Sequence, residues 1–517
     1  MSTAMKRTLA MLLTVLLILS MGWTTAMAEE TTFVFAAPFK ITQWDPQNEN
    51  KTMAYSLSKL TYNTLTTLSA DFTIEPELAT EWSSSEDGLT WTFKLREGVK
   101  FHNGEAFNAD SVVATMQRLI DKPDLVQAAF WTVLKGVEKV SDYEVKLILS
   151  QPWGAIITQL CDTPMLPAGA LAEKGDNLFV FDESNKPIGT GPWKFDKWIA
   201  GSGDAEFVRN DDYWNWGDKK SNIDRIVYRA VIEDTSRVNG ILAGDLDMVD
   251  SVPVEQVATL SAAGGITVQD VLGTNIVHLG FRTTSVTDEY RVFKDVNARK
   301  AVQHALDREG IVEYIAGGGK PAAWPCPDTV LGYDAEKAAV PEYSEDLAKE
   351  YLAKTDYQGQ TIRFIVPTGV FARSKEVAQA IEANLTAVGF KVNMEIMENA
   401  TFQTERASGN YDLYLQRYPF PAGEPDSVVT QRWLNDAHKS GYVNEELNAK
   451  ILAAKAESDP TKREQLLKEM FAIQWDVLAP HMAVYQQVTT VAYKSTVTGL
   501  KVRPDNVFDY SLVSYAG

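Results

Sequence analysis

The sequence predicts an α/β protein built from more than one lobe, on three observations. At 517 residues the chain is longer than one hydrophobic core sustains, since single cores stop growing near roughly 250–300 residues. From Asp87 to Ile120 a strand, a tight turn and a capped helix follow one another. From Ile362 to Met397 a strand, a helix and a strand recur at the spacing of a βαβ unit, which calls for a parallel sheet covered by helices.

In the first stretch Leu89, Trp91, Phe93 and Leu95 alternate with Thr90, Thr92, Lys94 and Arg96, the period of a half-buried strand. Val99 and Phe101 resume the alternation after Glu97-Gly98. Asn103-Gly104 then accepts the positive φ angles of a hairpin turn, with Phe107 just beyond. Asn108 offers a side-chain oxygen to the free amides of a helix, Asp110 favours the positive end of its dipole, and Val112, Val113, Met116, Leu119 and Ile120 keep helical spacing.

The remaining elements follow in order. Thr31 to Phe39 is a β-rich run, 53–65 a helix, and Ser141 to Leu149 an alternating strand. Pro152, Pro164 and Pro167 mark 150–188 as connecting structure. Gly189-Thr190-Gly191-Pro192 is a bend where backbone approaches another surface closely. Ile226 to Ile232 is a strand, Thr235 to Leu242 a helix ended by Gly244, and Val277 to Phe281 a strand crossing into a second lobe. Asn297 to Ala316 is a helix pair broken near Asp307. Ile362 to Pro367 is a strand, Ser374 to Val388 a helix, Lys391 to Met397 a strand, and Tyr411 to Leu415 another. Glu445 to Ala456 and Thr461 to Leu478 are helices split by Asp459-Pro460, and Met482 to Val491 is a strand.

Composition is that of a soluble protein, 45% hydrophobic and 23% charged. Lys6 and Arg7 precede an apolar run from Leu9 to Met21, and Ala26-Met27-Ala28 supplies the small residues of a cleavage site, so 1–28 reads as a signal peptide. The run is shorter than the roughly 20 residues a membrane span needs. Without 1–28, 47 basic side chains face 69 acidic ones, a charge of −22. That balance excludes nucleic acid and anionic membranes as partners, both of which require clustered positive charge. No cysteine sits near the cleavage point to carry a lipid, which predicts a freely diffusing periplasmic or secreted protein. Cys161 and Cys326, the two cysteines, form a disulfide or stand as two buried thiols.

Metal and catalytic chemistry are poorly represented. His102, His278, His304, His438 and His481 are scattered singly, and neither HExxH nor a GxSxG elbow occurs. Gly317-Gly318-Gly319-Lys320 is not a phosphate loop, because the earlier glycine is missing and Pro321 occupies the hydroxyl position. No cofactor is expected. Tyr411 to Ser427 is the richest stretch: Pro419, Pro421, Gly423 and Pro425 force an irregular loop after the strand, and such loops gather binding groups. Arg417, Tyr418 and Asp426 are therefore candidate ligand contacts, against ordinary loop capping. Arg373 opens a helix with a guanidinium suited to a ligand carboxylate, and Trp44 offers a ring for stacking.

With Trp44-Asp45-Pro46, Tyr62-Asn63-Thr64-Leu65 and Glu75-Pro76-Glu77-Leu78-Ala79 upstream, the stretch 87–120 resembles the signature region of the extracellular solute-binding proteins of family 5, which serve peptide and nickel ABC importers. Pro187 to Trp193 and Asn210-Asp211-Asp212-Tyr213-Trp214 are further matches. The resemblance implies a two-lobed periplasmic binding-protein fold of the large cluster C type, with a hinge and an interlobe cleft. Lobe I would span 29–275, with 76–188 as an inserted subdomain, lobe II 276–479, and 480–517 would return to lobe I. It implies a monomeric receptor that is not an enzyme, capturing small peptides for a membrane permease. In peptide-binding relatives the loop carries an aspartate where Pro421 stands here. In nickel-binding relatives it carries an arginine and Asp-Pro-His, against Arg417 and Glu424-Pro425-Asp426 here. A nickel-chelate or oligosaccharide receptor of the same fold is the alternative, and a secreted glycoside hydrolase the alternative of another class.

Overall fold

The computed structural model describes residues 30–181, 185–217, 220–284, 291–436 and 440–517. The expected signal peptide and His438 lie outside them.

Two long strands organise the chain. Ile266–Phe281 and His481–Lys494 run antiparallel along nearly their whole length at the centre of an eleven-stranded sheet. Beyond one end of the pair lie Leu413–Pro419, Thr361–Pro367 and Lys391–Met397; beyond the other lie Met248–Val249, Thr32–Ala37, Arg225–Ala230, Asp204–Arg209 and Trp193–Ile199. The sheet therefore belongs to two lobes, and the chain crosses between them only along these two strands among the described residues. Their pairing is interrupted where they meet the gap: Leu272 pairs Val488 and Ile276 pairs Gln486, leaving Gly273, Thr274 and Asn275 opposite Gln487 alone. A ladder broken there bends more easily than an unbroken one.

Each lobe has its own core. In lobe I, Phe33, Phe35, Phe195, Phe207 and Tyr228 pack together, and the returning C-terminal segment adds Phe508 and Tyr510, whose ring lies 4.3 Å from that of Phe35. In lobe II the βαβ unit forms as expected: Thr361–Pro367 and Lys391–Met397 pair in parallel, and helix Ser374–Ala387 buries Val377, Ile381 and Leu385 beneath them. Burying each such side chain contributes about 1.5–3 kcal/mol. A four-stranded antiparallel sheet, Ala79–Ser84, Thr90–Leu95, Glu144–Leu149 and Leu134–Ser141, stands apart with a third core built on Trp91, Phe93, Phe107 and Met116. Asn108 caps helix Ala109–Asp121 through the amide of Asp110 at 2.9 Å. The hairpin turns at Gly104, which alone of the Asn103-Gly104 pair has positive φ, +87°.

The motifs that carry the resemblance hold these pieces together. Asn63 donates to Glu77 at 2.7 Å and accepts from Thr190 at 3.0 Å and the Trp214 indole at 3.1 Å, so four of the stretches meet at one buried amide. Asp45 accepts from Arg118 of the capped helix at 2.5 Å in a pair 12% and 5% exposed. The glycine bend is as close as its sequence requires: a Cβ on Gly189 would lie 2.0 Å from the Thr61 carbonyl oxygen.

Two expectations on the elements are corrected, and the alternative left open for the cysteines is decided. Residues 150–188 are not all connection, since Ile156–Leu160 and Ala168–Lys174 are short helices. The strand expected to end at Leu415 continues to Pro419, because Asn275–Phe281 offers a full row of backbone partners, and Arg417 and Tyr418 are strand residues rather than loop residues. The two cysteines are separate buried thiols; burial pushes that of Cys161 up to about 12.

His278, on the first crossing strand, is 2% exposed, stacks on Tyr418 at 3.6 Å between centroids, and leaves both ring nitrogens without a partner. Burial first, and the Arg432 charge after it, hold its pKa well below 6.5. Such a group is neutral when folded and gains a proton on unfolding once the pH drops below the unfolded value. Its contribution is complete above about pH 6.5 and is lost below it, by up to about 1.4 kcal/mol per pH unit. Urea denaturation at pH 7 and pH 5 is expected to show a smaller pH-dependent loss in H278L than in the parent chain; equal losses would contradict this.

Candidate functional site

Among the described residues, three sizeable cavities lie along the gap between the lobes. The one beside the interrupted ladder, about 500 Å³, has lobe I residues Ser251 to Glu255 on one wall and lobe II residues Ala316 to Gly318 and Phe371 to Arg373 on the other. Its floor is the crossing region, with Asn275, Arg417 and Gln487. Two features draw the walls together. A Cβ on Gly317 would lie 2.5 Å from Val254 across the gap, so the glycine run serves close approach of the lobes. Glu255 accepts from Arg373 at 2.5 and 3.1 Å, an ion pair that bridges the lobes, and the guanidinium pulls the glutamate carboxyl below its ordinary range. With Glu255 61% exposed, this pair is worth at most about 1 kcal/mol.

Three arginines line this cavity, in different states. Arg237 is bound by the carbonyls of Val231, Ile232, Asp250 and Ser251 at 2.8–3.2 Å and by Asp234 at 2.6 Å, which fixes the lobe I wall. Arg373 is taken by Glu255 and the Ile315 carbonyl. Arg417 makes neither an ion pair nor a hydrogen bond with the described residues, and burial lowers its pKa. Nearby, the buried Oε1 of Gln487 and Oδ1 of Asn506 also have no partner.

The second cavity, about 260 Å³, lies between the inserted four-stranded unit and lobe II. Trp153 donates to Asp426 at 3.3 Å and the Gly154 amide to the Lys455 carbonyl at 2.7 Å. Burial, and then neighbouring Glu424, raise the Asp426 carboxyl. A third cavity of about 720 Å³ shares Thr158, Ala422 and Glu424 with the second and reaches Phe72, Trp82 and Trp91. Between them Glu424 accepts both arms of the Arg463 fork at 2.6 and 2.8 Å, the two side chains 12% and 5% exposed.

Of the five sequence candidates, Arg373 and Arg417 meet in the first cavity and Asp426 lines the second. Tyr418, 1% exposed, lines none of the three; its hydroxyl lies 2.9 Å from His481 and 3.0 Å from Tyr414 inside lobe II. Trp44 packs edge-on against Phe195 at 4.4 Å in lobe I and borders only a small side cavity of about 40 Å³. Sequence reasoning missed Glu255, Gln487 and Asn506. For Gln487 the available signal was the doublet Gln486-Gln487 directly after the apolar run Met482 to Tyr485. Asp211, of the adjacent acid pair Asp211-Asp212, is paired with Lys220 and Arg209 at 2.8 and 2.9 Å and pulled down to about 2, the opposite of what the general acid of a glycoside hydrolase needs. Among the described residues, no cluster of histidine, cysteine, aspartate and glutamate could hold a metal ion, and no helix is long and apolar enough to cross a membrane.

Two α/β lobes on a two-strand hinge, enclosing a cavity walled from both sides, define a periplasmic binding-protein fold: a receptor, not an enzyme. The chain belongs to the bacterial extracellular solute-binding proteins of family 5, whose middle-region model matches residues 73–440. It is 26% identical to di/tripeptide-binding protein 2 of Pseudomonas aeruginosa over 85% of this chain and 86% of that one. It is 25% identical to the glutathione-binding protein GsiB of Escherichia coli over 95% and 97%. The solved structure of HbpA2 from Haemophilus parasuis superimposes with a TM-score of 0.83 at 26% identity, covering 94% of this chain and all of that one.

The Arg463–Glu424 pair lends itself to a test of how the second and third cavities are held. R463M leaves a buried carboxylate alone and is expected to cost about 3–5 kcal/mol in urea denaturation, most of it regained in R463M/E424Q. Independent, additive losses in the double variant would contradict a direct pair.

Proposed function

We propose that this chain is the extracytoplasmic receptor of an ABC importer, taking small peptides into the cavity between its lobes and delivering them to the membrane permease. The observation that carries this reading is the 500 Å³ cavity walled by both lobes beside the interrupted crossing strands. Its volume falls within the 300–1,000 Å³ of small-molecule sites. A ligand seated there touches both walls only when the lobes are together, so its binding energy shifts the population toward the closed form. The di/tripeptide-binding relative supports the choice of peptide. The proposed division is lobe I at 29–275 with 76–188 inserted, lobe II at 276–479, and 480–517 returning to lobe I. Removal of 1–28 would release a monomer into the periplasm or medium. Main-chain hydrogen bonds would supply affinity and solvated pockets would read side chains loosely.

Calorimetry with a pool of di- to pentapeptides is expected to give heat and a raised Tm, with peptides recovered unaltered. Silence with the pool and a response to nickel–histidine would replace peptide by metal chelate. Silence with both would leave the peptide reading without support.

A further inference from the structure

We propose that Gly154 is a positioning residue for ligand capture: its amide caps a lobe II helix only while the lobes are together, which makes the inserted unit the catch of the closed form. This rests on the chain being a receptor that closes on its ligand, and names the residue that sets how firmly it stays shut.

The glycine is not required by its own backbone. Gly154 lies in the turn before helix Ile156–Leu160 with φ outside the left-handed region, so the local chain would accept alanine. What requires it is the facing lobe. A Cβ at 154 would stand 2.0 Å from the Glu457 carbonyl oxygen and 2.7 Å from Cδ of Arg463, well inside van der Waals contact. These nearest atoms belong to lobe II, none to the inserted unit. The Glu457 oxygen is backbone, and the Arg463 side chain is held by both oxygens of Glu424 at 2.6 and 2.8 Å, so neither yields cheaply.

Helix Glu445–Ala456 shows what the close approach gains. The last carbonyls of a helix have no partner within it. Here the Ala454 carbonyl accepts from Nε of Arg463 at 3.1 Å, and the Lys455 carbonyl accepts from the Gly154 amide at 2.7 Å. The first donor comes from the same lobe, the second from across the gap. Trp153 donates to Asp426 at 3.3 Å beside it, and the hydroxyls of Ser84 and Ser458 meet at 3.2 Å. On opening, water takes over each of these groups, so the catch favours the closed form without locking it. Asp45–Arg118 fixes the inserted unit to lobe I, and its grip on lobe II is therefore a grip between the lobes. Trp153, Asp426 and Lys455 also line the second cavity, which the same contact seals.

The test has one arm that needs no ligand. In S84C/S458C, disulfide formation under mild oxidation reports how often the two positions meet, since the native thiols are buried. Adding G154A is expected to slow this cross-linking at least about tenfold, whereas G136A in the same unit, where a Cβ meets nothing within 4 Å, should leave it unchanged. In calorimetry with the di- to pentapeptide pool, G154A alone should weaken binding by a similar factor, chiefly through faster release, while its ligand-free Tm stays at the parent value. Cross-linking that fails in the parent, or runs equally fast with G154A, would overturn the catch and leave the peptide reading intact. A ligand-free Tm of G154A well below the parent's would show a glycine the fold itself requires and overturn it too. If no peptide binds the parent while G154A still slows cross-linking, the peptide reading falls and the catch stands.

Discussion

The structure depends on how two strands cross a gap. Gln486 holds the crossing by donating to the Gly273 carbonyl at 2.8 Å and to Asp328 at 2.9 Å, while Gly273, Thr274 and Asn275 stay out of the central ladder. Thr274 is carried instead by one contact from each lobe: its amide donates to the Pro504 carbonyl at 3.0 Å and its carbonyl accepts from Phe420 at 3.1 Å. The hinge is therefore ordered but lightly bonded, which suits a joint whose two positions must differ by little free energy for a ligand to choose between them.

What closes over the cavity is similarly modest. At the first cavity lie the exposed Glu255–Arg373 pair and the Gly317–Val254 approach; at the second lie Trp153 with Asp426 and Gly154 with Lys455. The buried ion pairs act elsewhere. Asp45–Arg118 fixes the inserted unit to lobe I, and Arg463–Glu424 stiffens the loop between the second and third cavities. Strong interactions within bodies and weak ones between them leave motion to the gap.

Much of this was legible in the sequence, for a reason that can be stated. Strand 90–95, the helix capped by Asn108, the βαβ unit at 361–397 and the glycine bend at 189–191 are set by local alternation, capping and steric need, and the structure repeats them. The cleft is not local. Glu255 and Arg373 stand 118 positions apart, and Gln487 and Asn506 join them only because the chain returns to lobe I. Arg417 was found as a polar residue in a proline-rich stretch, whereas its position follows from the strand running on to Pro419. Trp44 was chosen for its ring and Tyr418 as part of the proline-rich stretch; in the structure Trp44 packs against Phe195 and Phe207, and Tyr418 against His278.

The central claim is that the lobes move against each other around a captured ligand. Ile232 and Tyr314, 57% and 75% exposed, stand two residues in sequence from the cavity-lining Asp234 of one lobe and Ala316 of the other, and the native thiols of Cys161 and Cys326 are buried, so spin labels on I232C/Y314C report on the gap. Pulsed electron resonance with and without the peptide pool should show the distance distribution shorten and narrow when ligand is present. Superimposable distributions in the presence of bound peptide would contradict the account.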